Sequence, residues 1–239
     1  MASTLQDKRI VVIGGSSGIG FAVAQAALEA GAKVTVVSSQ SDRVEAAVAK
    51  LGAGADGSAL DVTDEAAVGA FFGKLRGFDH LAFTAGDWGA MAGGPITETD
   101  LAAAGAIFKV RFWGAVAAVK HAAGKIAPGG SITLTDGTIA HRPRKGAALS
   151  TAMAGAIEHL VQALAVDLAP VRVNAVCPAL IRTEIWSGAP EGSLRRMTER
   201  QPLPRAGEPS EVAEAYLYLM KGGYTTGQVL KVDGGATLV

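Results

Sequence analysis

The stretch Gly14-Gly15-Ser16-Ser17-Gly18-Ile19-Gly20 constrains this chain more than any other. It follows the apolar run Ile10-Val11-Val12-Ile13, which predicts a buried strand, and precedes Phe21 to Ala30, which predicts a helix. Glycines let a backbone turn sharply and approach a ligand closely. The first N–H groups of a helix lack internal partners, and the helix dipole is positive there. Strand, glycine turn and helix start therefore form an anion site whose natural occupant is a pyrophosphate, contacted by Gly14, Ser16, Ser17, Gly18, Ile19 and Gly20. The spacing is G-x-x-x-G-x-G, and no Gly-Lys-Ser/Thr follows, so it is not a P-loop. The bland alternative is a glycine-rich connection with no ligand.

The remaining pattern is strand–helix alternation. Strands are predicted at Lys33 to Ser38, Ser58 to Asp61, His80 to Thr84, Ser131 to Thr135, Val171 to Val176 and Gln228 to Val232. Helices are predicted at Asp42 to Leu51, Asp64 to Leu75, Ala147 to Leu168 and Pro209 to Met220, with a long helical stretch from Thr99 to Ile126. Asp87 to Pro95 reads as a Gly-rich loop, and residues 188–208 as a mobile substrate lid. Seven strand signals separated by helical ones argue an α/β fold. The expected architecture is a doubly wound parallel sheet of seven strands with helices on both faces, in one domain over residues 1–239. Ligands of such sheets sit beyond the carboxyl ends of the strands. Those ends are Ile13, Ser38, Asp61, Thr84, Thr135 and Cys177.

Composition narrows the function classes. Lys plus Arg equals Asp plus Glu at 22 each, so nothing favours nucleic acid or an anionic membrane as partner. The single cysteine, Cys177, excludes an internal disulfide and a cysteine-rich zinc site, and no metal is expected. No uninterrupted apolar run reaches the length that spans a bilayer, and Met1 to Arg9 has no signal-peptide core. A cytoplasmic location is the expectation.

Nearly the whole chain resembles the short-chain dehydrogenase/reductase family. The glycine motif has that family's spacing at Gly14, Gly18 and Gly20. Asp61-Val62 matches its adenine-contacting Asp, and Ala85-Gly86 the end of its Asn-Asn-Ala-Gly motif, with Phe83 and Thr84 in place of the asparagines. Leu164 to Asn174 is very close to the run before its sixth strand. Pro178, Ile181 and Thr183 resemble the segment that holds the nicotinamide carboxamide, and Gly227 with Val232-Asp233-Gly234-Gly235 its last strand and close. The resemblance implies a Rossmann-type fold, a nicotinamide dinucleotide, a small-molecule substrate and a homotetramer or homodimer. A methyltransferase with a similar glycine turn fits these segments less well.

Cofactor choice rests on the end of the second strand. An Asp there would accept from both ribose hydroxyls and repel a 2′-phosphate. Ser38 and Ser39 stand there instead, followed by Gln40, so NADP(H) is favoured over NAD(H). The alternative is that these serines are ordinary turn residues.

The catalytic positions depart from the resemblance. Aligned back from Leu164-Ala165-Val166-Asp167, the family's Tyr falls on Ser150, its Lys on Ala154, its Ser on Gly137 and its Asn on Arg111. A serine hydroxyl cannot replace a phenol as a general acid near neutral pH. Possible substitutes are Asp136, read either as an acid/base or as a turn cap of Gly137-Thr138; His141, read as a titrating group or a solvated loop residue; and Arg111, which could stabilise an oxyanion. Arg142, Arg144 and Lys145 read as a solvated basic loop, Trp88 as pocket lining or sheet cover, Trp113 as helix packing, and Cys177 as a small core residue. Two classes stand. One is an NADP(H)-dependent oxidoreductase of a carbonyl, alcohol, imine or enone working without the Tyr/Lys pair. The other is a catalytically inactive NADP(H)-binding sensor or regulatory subunit.

Overall fold

The computed structural model describes residues 4–86 and 94–239. Apolar β-branched runs become the strands. β1 (Arg9–Ile13) is followed by α1 (Gly18–Glu29), β2 (Lys33–Ser38), α2 (Ser41–Leu51), β3 (Ala55–Ala59), α3 (Glu65–Lys74) and β4 (Phe78–Phe83). Beyond the undescribed residues comes a broken helical stretch: α4 (Leu101–Ala104), α5 (Ala106–Phe108), a π-helical segment (Lys109–Gly114) and α6 (Ala115–Ala122). The chain finishes with β5 (Ile126–Thr135), α7 (Ala148–Asp167), β6 (Arg172–Pro178), α8 (Ser193–Thr198), α9 (Pro209–Lys221) and β7 (Val229–Val232).

These strands form one seven-stranded sheet, ordered β3-β2-β1-β4-β5-β6-β7, with every pairing parallel. The order reverses between β1 and β4, where a doubly wound sheet opens its crevice. Alternate residues along each strand serve opposite layers. Val11, Ile13, Leu81, Phe83, Ile132 and Leu134 pack under α3, α6 and α7. Ile10, Val12, Val34, Val36 and Ala82 pack under α1 and α9. Buried polar groups lock the far edge. Arg172 donates to the carbonyls of Leu219 and Met220, and so closes the end of α9. Asn174 donates to Thr225 and accepts from the amide of Gln228, which docks the approach to β7.

Three element boundaries differ from the sequence expectation. β3 lies at Ala55–Ala59, earlier than Ser58 to Asp61, because its pairing with β2 sets its limits and not its own hydrophobicity. Asp61 therefore stands just past the strand. β5 starts at Ile126: the register shifts between the Phe78↔Ile126 and His80↔Ser131 pairs, and Gly129 takes φ +79° at the irregularity. The helical stretch after Thr99 changes type repeatedly and gives way to β5 at Ile126. α7 is long and apolar enough, by length and composition, to cross a membrane. One face of it, with Met153, Ile157 and Val161, belongs to the core under the sheet.

His80, in the middle of β4, faces Ser131 across the sheet at 2.9 Å. Burial holds its imidazole down to about 4 from an ordinary 6.5; Arg172 and Lys8 add to the depression and Asp79 opposes it. The neutral ring is thus favoured in the folded state. That contribution is complete above pH 6.5 and is lost as pH falls toward 4. Urea unfolding at pH 7 and pH 5 is expected to show about 2 kcal/mol more acid destabilisation for the wild type than for His80→Gln. Equal losses would contradict this reading.

Candidate active site

The glycine turn is closed by contacts that leave no room for side chains. At Gly14 the chain leaves β1 with φ +86°. The amide and the hydroxyl of Thr84, at the end of β4, both donate to the carbonyl of Ile13, at 2.7 and 3.0 Å. A Cβ on Gly14 would lie 2.5 Å from the amide nitrogen of Ala85. One on Gly20 would lie 2.2 Å from the carbonyl oxygen of Gly14 and 2.4 Å from Oγ1 of Thr84. Gly18, at φ +52°, faces Thr183 from beyond β6. Ser17 stands at the N-cap of α1 in extended conformation, and its side chain caps nothing. The first-turn amides of α1 are therefore left to a ligand.

Around this turn the strand ends open on a cleft of about 950 Å³. Its wall holds Gly14, Ser16, Ser17, Gly18, Ile19 and Gly20 from the turn, Ser38 and Ser39 after β2, and Asp61 and Val62 after β3. Ala85 and Gly86 follow β4, and Pro178, Ile181 and Thr183 follow β6. The structure thus brings the expected cofactor residues together on one wall. Asp61 is braced there by Thr63, whose amide and hydroxyl donate to Oδ1 at 2.9 and 2.8 Å. Sequence spacing did not single out Arg43, Lys109 or Trp186, which also line the cleft. Arg43 belongs because α2 starts at Ser41, at the cleft itself, so its first turn still faces the ligand side.

At the other end of the cleft stand Lys109 and Arg111, from the π-helical segment. Such widened turns re-aim side chains and recur at functional sites. The Arg111 guanidinium lies against Gly86: a Cβ there would sit 2.7 Å from Nε. Gly137 lines the same end, and a Cβ on it would meet nothing within 4 Å. Ser150 and Ala154 are buried in α7 and are not among the described residues of the cleft wall. Tyr216 is fully buried in α9, with its hydroxyl against that of Thr135. Burial pushes that phenol above its ordinary value, so it is no proton donor or acceptor near neutral pH.

Several readings need correction. Asp136 keeps the Gly137 amide beside its carboxyl, as a turn cap would, but it also lines the cleft and packs against Glu158 and Cys177. It is 3% exposed, and neither carboxylate oxygen meets hydrogen-bond geometry with a described group. Burial, and then the Glu158 carboxyl, hold it above the usual carboxylate range. His141 is not simply solvated: its Nε2 lies 2.7 Å from Oε1 of Glu158 on α7, with the side chain 28% exposed. Cys177 is fully buried, as expected of a core residue. Burial and then Asp136 raise its thiol well above its ordinary value, so it is no nucleophile. Trp113 does not pack inside the helix layer but is 61% exposed, edge-on to Phe112. Arg142, Arg144 and Lys145 are exposed. Trp88, and most of the loop from Asp87 to Pro95, lie outside the described residues. The expected lid, residues 188–208, carries α8, and its far end is tied down: Leu203 N–H donates to Gly234, and Arg205 grips Glu211 at 2.7 Å.

Comparison with known proteins bears on this site. The family model described as enoyl-(acyl carrier protein) reductase matches residues 13–237. The chain is 35% identical to the short-chain dehydrogenase/reductase ATR9 of Stachybotrys chlorohalonatus, over 98% of this chain and 99% of that one. It is 31% identical to the short-chain dehydrogenase/reductase malC of Malbranchea aurantiaca, over 98% and 96%. Among solved structures, a small-chain dehydrogenase in complex with NADPH is similar at TM-score 0.83 and 35% identity, covering 98% of this chain and 100% of that one. The MalC reductase/Diels-Alderase structure is similar at TM-score 0.90 and 30% identity, covering 98% of each.

The packing of the glycine turn is directly testable. Gly20→Ala drives a methyl group into Gly14 and Thr84 and is expected to cost about 1–3 kcal/mol. Gly73→Ala, on α3 with open space around its Cβ, is expected to gain about 0.5–1 kcal/mol. Chemical denaturation of both variants checks the contrast; equal effects would overturn the steric account.

Proposed function

The chain belongs to the short-chain dehydrogenase/reductase family, a family of oxidoreductases, and on that premise we propose an NADP(H)-dependent oxidoreductase of a small carbonyl, alcohol, imine or enone, working without a Tyr–Lys pair. The observation that carries this reading is the cleft wall itself. Its glycine turn leaves the start of α1 without a side-chain cap, facing the cleft, and the end of β2 adds two serines and Arg43 with no carboxylate. The residues fit the dinucleotide. Gly14 to Gly20 and the start of α1 would take the pyrophosphate, Asp61 and Val62 the adenine, and Pro178, Ile181 and Thr183 the carboxamide. Ser38, Ser39 and Arg43 would take a 2′-phosphate, where a guanidinium gives charge-assisted hydrogen bonds. The relative solved with NADPH supports this preference.

When bound, the nicotinamide supplies the hydride. The protein's part is positioning and charge. Holding donor and acceptor in contact replaces an encounter that costs several kcal/mol in solution. Arg111 and Lys109 line the same cleft and are proposed to face the substrate oxygen, where fixed cations would stabilise growing negative charge. A guanidinium does not give up its proton, so Arg111 acts by charge alone, and the product's proton is proposed to come from water. This division of labour suits substrates that need little acid assistance: activated carbonyls, enones and imines. Residues 188–200, ahead of the anchored segment, are the part proposed to close over the substrate. The exposed small residues of α7, with Val166 at 78% exposure, together with exposed Leu101 and Trp113, are proposed to pair copies into a homodimer or homotetramer.

Titration with NADPH and NADH tests the cofactor part. NADPH is expected to bind at least about tenfold tighter, and Arg43→Ala to remove most of that difference. Loss of reduced-nicotinamide absorbance over a panel of carbonyls, enones and imines tests the chemistry. Turnover on one of them is expected, and Arg111→Ala is expected to lower kcat about 10²–10³-fold. Tight NADPH binding with no turnover would mean a nucleotide-binding sensor or subunit. Binding of neither nucleotide would overturn both readings.

A further inference from the structure

Four potential ligands converge at the cleft wall, which Asp136 itself lines. Asp136 follows β5, Cys177 lies near the end of β6, Glu158 projects from α7, and His141 lies in the loop between β5 and α7. One ligand atom from each lies within 4.8 Å of the others. We propose that Asp136, His141, Glu158 and Cys177 form a binding site for one zinc-class divalent cation.

Three observations carry it. First, the Asp136 carboxyl is 3% exposed and neither oxygen has a well-formed hydrogen bond, the groups around it being the Gly137 amide, the Glu158 carboxyl and the Cys177 thiol. Buried polar groups are otherwise satisfied as a rule, so such a group marks a missing partner. Second, His141 Nε2 and Glu158 Oε1 approach to 2.7 Å, while that Glu158 oxygen too is buried without a well-formed hydrogen bond. At that distance the two share a proton, and a divalent cation would take that proton's place between them. Third, the donor set is one thiolate, one imidazole and two carboxylates. Calcium and magnesium take oxygen cages, whereas mixed sulfur, nitrogen and oxygen ligands suit zinc and its tetrahedral analogue cobalt(II).

The geometry is close to what such an ion needs. Bonds of about 2.0–2.3 Å in a tetrahedron place ligand atoms roughly 3.3–3.8 Å apart. The widest pairs, at up to 4.8 Å, need about 1 Å of closure, and the His141–Glu158 pair, at 2.7 Å, must open by about 0.6 Å, both within the reach of side-chain rotation. His141, the most exposed of the four, is the way in. Four protein ligands close the coordination sphere, which defines a structural site and not a catalytic one. Its effect is mechanical. It ties the loop from Gly137 to Gly146 to α7 and β6, and Gly137 is part of the cleft wall. The site rests on side-chain geometry alone and is independent of the redox reading.

The test uses the full chain, reduced and stripped with chelator, titrated with Zn²⁺ against a chromophoric chelator and separately with Co²⁺. One ion per chain is expected. The cobalt form should show intense tetrahedral d–d bands and a thiolate-to-cobalt charge-transfer band, and the melting temperature should rise on zinc addition. Cys177→Ser should abolish the charge-transfer band. His141→Ala changes a loop residue and leaves the core intact; it should weaken zinc binding about 100-fold or more and abolish the melting shift. No binding to the wild type, or binding unchanged in His141→Ala, would overturn the proposal. A cobalt spectrum without the thiolate band would do the same.

Discussion

The structure depends on a close backbone approach at the point where the strand order reverses. Thr84 reaches from β4 and satisfies the Ile13 carbonyl with both its amide and its hydroxyl. Gly14 and Gly20 fill the remaining space without side chains. This contact sets how the two halves of the sheet meet, and where α1 begins. It also shows why Thr can occupy a position the family resemblance gives to Asn: a short side chain with a donor is what the packing requires. The adjacent cleft follows from this geometry, because parallel strands ending together leave their connecting loops around a common hollow.

Charge is distributed unevenly along that hollow. Arg43 stands at one end, and Lys109 and Arg111 at the other. At the second end, the acidic and thiol groups of Asp136, Glu158 and Cys177 are packed against His141. The cationic wall suits a nucleotide phosphate or a developing oxyanion; the cluster, whose Asp136 carboxyl and Cys177 thiol burial holds toward their neutral forms, suits a metal ion that displaces their protons. The chemistry proposed here therefore relies on fixed charge and positioning, where the family resemblance would have led to a phenol and an amine.

Much of this was legible in the sequence, for identifiable reasons. The strands of the sheet's centre are apolar runs bounded by turn residues, so β1, β2, β4 and β6 were predicted within a few residues. The glycine turn was legible because its constraint is local. β3 was misplaced because Ala55–Ala59 is polar and small, and its position is decided by pairing with β2. Arg43 was passed over because spacing does not say that the first turn of α2 faces the cleft. Asp136 and His141 were each read two ways, as an acid/base or titrating group and as a turn or loop residue, and no sequence pattern connects them. Glu158 lies 17 positions beyond His141 and Cys177 another 19, and only the fold makes them neighbours.

The central claim is that this cleft carries hydride from a reduced nicotinamide to a small substrate without a tyrosine. The most direct measurement is isotopic: turnover with NADPH deuterated at nicotinamide C4, followed by mass analysis of the product. Deuterium on the reduced carbon of the product, with solvent hydrogen on its heteroatom or adjacent carbon, is the predicted result. Deuterium retained entirely on the nucleotide across carbonyl, enone and imine substrates, while the nucleotide is bound, would contradict it.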